Sequence, residues 1–193
     1  MHRYIFSVLD TETTGFYHKN NDRIVEISAV KIKEGQICEK EVFNTLVNPQ
    51  RNIPPAATRI HKIVDDMVLD SPKFEDISNN LINFLSDVDY LIIHNAKFDL
   101  GFLESEMKRI GQSLQLPKVV CSVDLSRKLY PQYKYHNLNA IAKNMGLSIQ
   151  KDQKRHRALG DVILTAEALL KFYEENSLIF LGTLEQIANK KFI

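Results

Sequence analysis

An apolar segment near the start of the chain ends in two acidic residues, and this pattern constrains the fold more than any other feature. Residues 4–9 (YIFSVL) are rich in aromatic and β-branched side chains, and Asp10 and Glu12 follow at once. Such a segment is typical of a strand in the middle of a sheet. The sequence therefore predicts a buried central strand that delivers two carboxylates to one end of the sheet.

The rest of the chain alternates strands with helices. A second strand is predicted at residues 24–33, and the turn at Glu34-Gly35 leads into a third strand that includes residues 42–47. Residues 54–72 favour short helical turns. Apolar spacing then predicts strands at 90–94 and 118–121, and helices at 74–86, 95–110 (with Asn95 as N-cap), 123–129, 138–145 and 158–174. This order indicates an α/β fold with a mixed sheet of five strands flanked by helices.

Composition narrows the class of protein. The chain has 193 residues, of which 44% are hydrophobic and 25% charged, and this balance is typical of one globular domain. A formal net charge of +1 gives no bulk attraction to nucleic acid, but charge distribution and bound cations also set such affinity. Neither a secretion signal nor a run of roughly 20 apolar residues is present, and Cys38 and Cys121 lack metal-binding spacing. We expect a cytoplasmic protein with no membrane partner.

The two acids at the end of the first strand are the first element that indicates chemistry. Residues two apart on a strand face the same side, so Asp10 and Glu12 can bind one hard cation together. Spacing alone does not distinguish them, because Glu39 and Glu41 share it. Their context does, since carboxylates at the end of a buried strand are costly without compensating charge. The alternative is an ordinary solvated turn at the strand end.

The segment Thr13-Thr14-Gly15 follows directly. A glycine lets a ligand approach the backbone closely, and the two threonine hydroxyls are expected to be available as hydrogen-bond donors. The alternative is an ordinary loop glycine.

Two later segments supply further candidates. Asp99 falls in the first turn of the helix after strand 90–94. The helix dipole alone can explain an acid at this position. The functional alternative is that the end of the strand delivers Asp99 to a ligand site, because ligands of α/β sheets commonly bind at strand ends. His156 and Asp161 would point about 140° apart if both were helical. They can face one site only if His156 lies on the loop before the helix. The alternative for this histidine is a solvated side chain in a basic loop.

Together these segments supply four carboxylates and one histidine on three separate elements. This set suits hydrolysis of a phosphodiester with two divalent cations roughly 3.5–4 Å apart, which hold the attacking water and the leaving oxygen in line. The histidine can accept the proton of the water. Oxygen ligands favour Mg²⁺ or Mn²⁺ over zinc.

The same segments also resemble a known family. Residues 10–15 (DTETTG), residues 95–99 (NAKFD) and His156-x-Ala158-x-x-Asp161 resemble, in order and context, the three motifs of the DEDDh exonucleases. The resemblance covers about residues 4–175 and is strongest to the proofreading epsilon subunits of bacterial DNA polymerase III and related stand-alone exonucleases. It implies a ribonuclease H-like fold and 3′→5′ release of nucleoside 5′-monophosphates. Residues 1–193 would form one exonuclease domain, with a short C-terminal extension at 176–193.

The resemblance also implies residue roles. Asp10, Glu12 and Asp161 would bind the first cation, and Asp10 would bridge to a second cation that Asp99 supports. His156 would be the general base. The residues expected to contact the substrate are Thr13, Gly15, Phe16, His61 and Phe98. One departure is Lys62, which stands where many family members have glycine.

The expected substrate is a single-stranded or frayed 3′ end of DNA. A replicative polymerase is a candidate partner, although the epsilon subunits bind it through a long tail and no such tail follows the last predicted helix. Two alternatives stay open. One is an exoribonuclease acting on RNA 3′ ends, which the response to the 2′-hydroxyl distinguishes. The other is a catalytically silent binding module with the same fold.

Overall fold

The centre of the protein is a five-stranded mixed sheet. The computed structural model describes residues 1, 3–147 and 157–188. The strands are β1 (Phe6–Thr13), β2 (Ile24–Lys33), β3 (Gln36–Leu46), β4 (Tyr90–Ile93) and β5 (Lys118–Cys121), in the spatial order β3-β2-β1-β4-β5. β1 pairs with β2 in antiparallel and with β4 in parallel orientation. The prediction of a mixed sheet with the first strand at its centre is confirmed.

Seven helices complete the described part of the chain. They are α1 (Pro55–His61), α2 (Asp65–Val68), α3 (Phe74–Leu85), α4 (Ala96–Arg109), α5 (Ser122–Leu129), α6 (Leu138–Asn144) and α7 (Ala158–Ala188), with a short 3₁₀ turn at His18–Asn20. Within the described residues, no helix combines the length and the apolar character that crossing a bilayer requires.

The sheet separates two layers of helices, and β1 contributes side chains to the core on both faces. Phe6 and Val8 point into one core cluster, which they share with α5 and α7, whereas Leu9 points into the other, which it shares with α3 and α4. All three side chains are fully buried, and each contributes roughly 1.5–3 kcal/mol to stability. Because side chains alternate along a strand, Asp10 and Glu12 continue the face that meets α7.

α7 is longer than the sequence predicts. The predicted helix ends near residue 174, whereas α7 runs to Ala188 across a break at Asn176 (φ −130°, ψ 28°). The Asn176 amide donates to the Tyr130 hydroxyl at 2.7 Å and to the Phe172 carbonyl at 3.2 Å, which stabilises the break. Phe180 and its partners one and two turns later are completely buried in the core cluster of α7 and β1, so the helix resumes because this packing favours it.

Asn95 occupies the N-cap position of α4, as predicted, although it does not cap the helix with its side chain. Asn95 adopts the left-handed conformation (φ 61°, ψ 48°), and its side chain makes no capping hydrogen bond. A capping side chain usually requires an extended backbone, whereas asparagine is one of the few residues that tolerate the left-handed region. Asn95 therefore serves as the sharp turn between β4 and α4.

The two cysteines are free thiols on opposite edges of the sheet. Cys38 lies on β3 and Cys121 ends β5, so four strand spacings of about 4.8 Å, roughly 19 Å in all, separate their strands. A disulfide needs Cα atoms within about 7 Å, which this topology excludes.

Candidate active site

Three carboxylates meet where β1 ends against the start of α7. Asp10 and Glu12 project from the same face of β1, and Asp161 lies in the first turn of α7. One carboxylate oxygen from each residue lies within 4.8 Å of those of the other two. Asp10 and Asp161 are half-buried. The structure thus brings together three of the four predicted carboxylates in one cluster.

Asp99 approaches from the opposite side of the sheet. It lies on α4 with 2% of its surface exposed, and its Oδ1 accepts hydrogen bonds from the Thr11 N–H at 3.0 Å and the Thr11 hydroxyl at 2.7 Å. Thr11 is the residue between Asp10 and Glu12, so Asp99 is tied to the strand that carries the cluster. Burial raises the pKa of Asp99 to about 7, against the opposing effect of the Thr11 hydrogen bonds.

The chemistry of this donor set fits a hard divalent cation. Two unit charges about 4 Å apart repel by roughly 4 kcal/mol at an effective dielectric constant of about 20, so a cluster of three carboxylates is costly without a cation. All the donors are oxygens, which suit Mg²⁺ or Mn²⁺ better than soft metals. The raised pKa of Asp99 reflects its burial, which disfavours the ionised form of the carboxyl group.

A cavity of about 400 Å³ adjoins the cluster. The end of β1 with the loop after it, helix α1 and one side chain of α4 form its walls. All five residues that the sequence assigns to substrate contact line it, namely Thr13, Gly15, Phe16, His61 and Phe98. The Phe16 ring is 66% exposed and meets the Phe98 ring edge-on, with 6.4 Å between their centroids. Glu12 also lines the cavity, so the pocket and the carboxylate cluster are continuous.

The prediction that the threonine hydroxyls are available donors is wrong. The Thr13 hydroxyl donates to the Gly15 carbonyl at 2.6 Å, and the Thr14 hydroxyl donates to Asp22 at 3.2 Å. Asp22 also accepts from the Tyr17 N–H at 3.0 Å and from Arg51 at 3.1 Å. These hydrogen bonds occupy both threonine hydroxyls and connect the loop to itself and to Arg51.

Gly15 is required for a different reason from the expected one. A Cβ atom at this position would lie 2.3 Å from an Asp22 carboxylate oxygen, a distance that real Cβ atoms do not tolerate. Glycine therefore makes room for the Asp22 side chain behind the loop. Asp22 was not among the predicted site residues, and an acid in a polar loop carries no distinctive local signal.

His61 presents an unsatisfied nitrogen to the pocket. It is 2% exposed, and its Nδ1 accepts a hydrogen bond from the Ile63 N–H at 3.0 Å. Burial lowers the pKa of His61, so the ring is neutral near pH 7, and the bond at Nδ1 assigns the proton to Nε2. Nε2 makes no hydrogen bond of good geometry among the described residues, although the nearby Thr13 backbone interacts with the ring and acts to raise its pKa. This N–H is suited to a ligand oxygen.

The backbone at Lys62 explains why many family members have glycine at this position. Lys62 ends α1 in the left-handed conformation (φ 64°, ψ 11°), with its N–H bonded to the Thr58 carbonyl. Glycine is the usual residue at such a helix end, because any other side chain costs roughly 1–2 kcal/mol there. The helix ends in this way despite the lysine, and His61 keeps its place in the pocket wall.

His156 lies outside the described residues. α7 begins at Ala158, as predicted, so His156 precedes the first helical residue by two positions.

Glu26 and Arg157 were not predicted, although the structure places them beside the cluster. Glu26 lies opposite Glu12 in the β1–β2 pairing, and Arg157 forms an ion pair with it at 2.6 Å. The signal in the sequence is a single acid inside the apolar run of residues 24–30. Its partner is 131 positions away, so the sequence does not reveal what compensates the charge.

Comparisons with known proteins show what the chain is similar to. The family model described as Exonuclease matches residues 7–169. A DNA polymerase III subunit epsilon-like protein of Rhodobacter capsulatus is 40% identical over 166 residues, which cover 86% of this chain and 23% of the relative. A PolC-type DNA polymerase III of Clostridium perfringens is 40% identical over 167 residues, covering 86% of this chain and 11% of the relative. The chain thus spans less than a quarter of the length of these relatives.

A solved structure matches over nearly the whole length of both chains. Exonuclease X, in complex with 5′ overhanging duplex DNA, is 30% identical, with a TM-score of 0.74 and coverage of 95% of this chain and 98% of that one. The mixed sheet flanked by helices is accordingly a ribonuclease H-like fold. The region that the family model matches contains Asp10, Glu12, Asp99 and Asp161. This chain belongs to the exonuclease family that this model describes.

Proposed function

We propose that this chain is a 3′→5′ exonuclease that hydrolyses the phosphodiester bond at the 3′ end of a DNA strand and releases nucleoside 5′-monophosphates. The convergence of Asp10, Glu12 and Asp161 within 4.8 Å, next to a cavity of about 400 Å³, is the main support for this function. That volume lies in the range of roughly 300–1,000 Å³ of small-ligand sites, and it suits one terminal nucleotide better than a duplex.

The proposed cofactors are two divalent cations, Mg²⁺ or Mn²⁺. When bound, they would stabilise the negative charge that develops on the phosphate and align the attacking and leaving oxygens. Asp10, Glu12 and Asp161 would hold the first cation, in agreement with their clustering. Asp10 would also contact the second, which Asp99 would support from the other side of β1.

The chain's own residues would orient the substrate and move the proton. The exposed Phe16 ring and the neighbouring Phe98 ring offer an apolar surface for the terminal base. The His61 Nε2–H would donate to an oxygen of the terminal nucleotide, which would satisfy an otherwise unpartnered buried group. His156 would accept the proton of the attacking water as general base.

DNA is the proposed substrate, in the form of single-stranded or frayed 3′ ends. The solved complex of Exonuclease X with 5′ overhanging duplex DNA supports DNA as the substrate, as do the relatives named after DNA polymerase III. The same relatives make a replicative polymerase a candidate partner. We propose that residues 1–193 form one exonuclease domain and that it acts in the cytoplasm.

A 5′-labelled oligonucleotide tests direction and product. With Mg²⁺ or Mn²⁺, we expect the labelled strand to shorten as a ladder from its 3′ end and to release mononucleotides, because only the terminal nucleotide enters the cavity. Matched DNA and RNA strands are compared by gel and by chromatography of the products.

Faster cleavage of RNA would favour the exoribonuclease alternative, and no cleavage of either would favour the silent binding module. Immediate release of the labelled 5′ nucleotide, or cutting of a circular strand, would contradict the proposed polarity.

Replacing the proposed general base should slow the reaction without removing the metal site. His156→Ala is expected to reduce kcat by about 10²–10⁴-fold, the usual contribution of general acid–base catalysis, while Mn²⁺ and the 3′ end still bind. In the unsubstituted protein the rate should rise with pH as the imidazole loses its proton, and the variant should lose this limb. Both profiles are measured at saturating concentrations of one metal, because water on a metal also titrates. A wild-type rate with an unchanged pH profile would remove His156 from the mechanism.

A further inference from the structure

Glu26 is a buried acid inside an otherwise apolar part of β2. Its neighbours Val25 and Ile27 are fully buried, and Glu26 itself is 2% exposed. The β1–β2 register places it directly opposite Glu12, so two carboxylates face each other on one side of the sheet. Like charges in this arrangement destabilise a sheet, and a buried carboxylate is costly unless it is paired. Sheet formation alone therefore does not account for an acid at this position.

The hydrogen bonds of Glu26 lead to the start of α7. The Arg157 Nε donates to the two carboxylate oxygens at 3.1 and 3.0 Å, and its Nη2 donates at 2.6 Å. The N–H of Ala158, the first residue of α7, donates to Oε2 at 3.0 Å. A helix cannot satisfy its first N–H groups internally, and its dipole favours an anion at this end. Glu26 thus caps α7 from a neighbouring strand.

This contact fixes the helix turn that carries Asp161. Asp161 follows Ala158 by three positions, which places it one turn along on nearly the same side of the helix. β2 is hydrogen-bonded to β1, so Glu26 connects that turn to the strand that carries the other two carboxylates of the cluster. The pKa of Arg157 is raised, mainly by its hydrogen bonds to Glu26 and to a smaller extent by the charge of Glu12. The guanidinium therefore interacts with both acids.

We propose that Glu26 and Arg157 form a positioning pair that sets the affinity of the site for a divalent cation, because it holds Asp161 at the required spacing from Asp10 and Glu12. This inference rests on the proposed function, since it concerns the carboxylate cluster of the proposed exonuclease. The pair would support the ligands from outside the coordination shell. Supporting groups of this kind typically change metal affinity by about 10–100-fold when they are substituted.

The chain provides a matched control elsewhere in the fold. Glu106 is also 2% exposed, and it accepts from the Arg23 Nε and Nη2 at 2.7 and 2.8 Å and from the Ile24 N–H at 3.3 Å. This pair has the same chemistry, but it joins the second half of α4 to the start of β2 and lies two turns beyond Asp99. Loss of either pair should cost stability, whereas only the Glu26 pair holds a member of the cluster.

The test compares Glu26→Gln with Glu106→Gln in the full chain. Glutamine keeps the size of the side chain and one acceptor for the backbone N–H, but it removes the charge that holds the guanidinium. Calorimetric titration with Mn²⁺ should show about 10–100-fold weaker binding for Glu26→Gln and wild-type binding for Glu106→Gln. The melting temperature without metal should fall in both variants, because each loses a buried ion pair.

Arg157→Lys is the second variant, and it decides the question if Glu26→Gln does not fold. Lysine keeps the positive charge and leaves the Ala158 N–H bond to Glu26 in place, but it loses the planar fork that contacts both carboxylate oxygens. We expect weaker Mn²⁺ binding here as well. Wild-type Mn²⁺ binding in the folded variant, or equal weakening in Glu106→Gln, would overturn the positioning pair and leave Glu26 as a structural ion pair.

Cleavage assays on the same proteins keep this inference separate from the proposed function. A wild-type chain that binds Mn²⁺ but cuts no nucleic acid would contradict the exonuclease, while the binding comparison would still decide the role of Glu26. A wild-type chain that binds no Mn²⁺ would overturn both proposals.

Discussion

Removal of divalent cations is expected to abolish cleavage completely and to lower the melting temperature. The carboxylates of Asp10, Glu12 and Asp161 lie within 4.8 Å of one another and repel one another when no cation is bound. Addition of Mg²⁺ or Mn²⁺ after EDTA should restore cleavage. A cation at about 100 times its Kd should stabilise the fold by about 2.7 kcal/mol, because it binds the folded chain preferentially.

The measurements are cleavage of a 5′-labelled strand and thermal melting, each recorded with EDTA and then with excess metal. The Asp161→Asn variant is the control for the melting experiment, since its response to metal should be small. Full activity in excess chelator would contradict the metal-dependent mechanism and with it the proposed roles of all four carboxylates.

Substitution of Asp161 by asparagine should remove nearly all activity with little effect on folding. The change preserves the size of the side chain but removes a charged ligand. Metal assistance is worth several kcal/mol of transition-state stabilisation, and each 1.4 kcal/mol or so corresponds to tenfold in rate, so we expect a loss of at least about 10³-fold. Without metal, the melting temperature should be unchanged or higher, because one source of repulsion in the cluster is gone.

Glu174→Gln provides the matched control on the same helix. Glu174 is exposed and pairs with Lys171 on the surface of α7, where solvent screening leaves such pairs little effect on stability. This variant should keep wild-type cleavage and metal binding. Substantial activity in Asp161→Asn, together with unchanged Mn²⁺ affinity, would exclude Asp161 from the metal site and would favour the alternative of an ordinary acid in a first helical turn.

Much of the fold follows from local pattern. The run of residues 4–9 predicts a central strand, because only a strand buried on both faces is apolar at nearly every position, and β1 is that strand. The strand period of two then places Asp10 and Glu12 on one face without further information. The start of α7 at Ala158 was also predictable, and it brings Asp161 to the same end of the sheet.

Contacts between distant segments could not be predicted in this way. The Asn176 break depends on Tyr130, 46 positions earlier, and the reason for Gly15 depends on where the Asp22 carboxylate lies. The cap that Glu26 provides for α7 joins residues 132 positions apart. None of these partners is marked by spacing or periodicity, because either side chain alone is compatible with many environments.

The sequence by itself determined the sheet and the face of the two strand-end carboxylates, since these depend on periodicities of two and 3.6 residues along the chain. It also determined the set of chemical groups, which is a matter of residue type. Only the tertiary structure decided that Asp99 reaches the strand through Thr11, that the threonine hydroxyls bond within their own loop, and that Glu26 supports the helix of Asp161. Hydrogen bonds and ion pairs need distances near 3 Å, and such distances between remote residues are set only when the whole core packs.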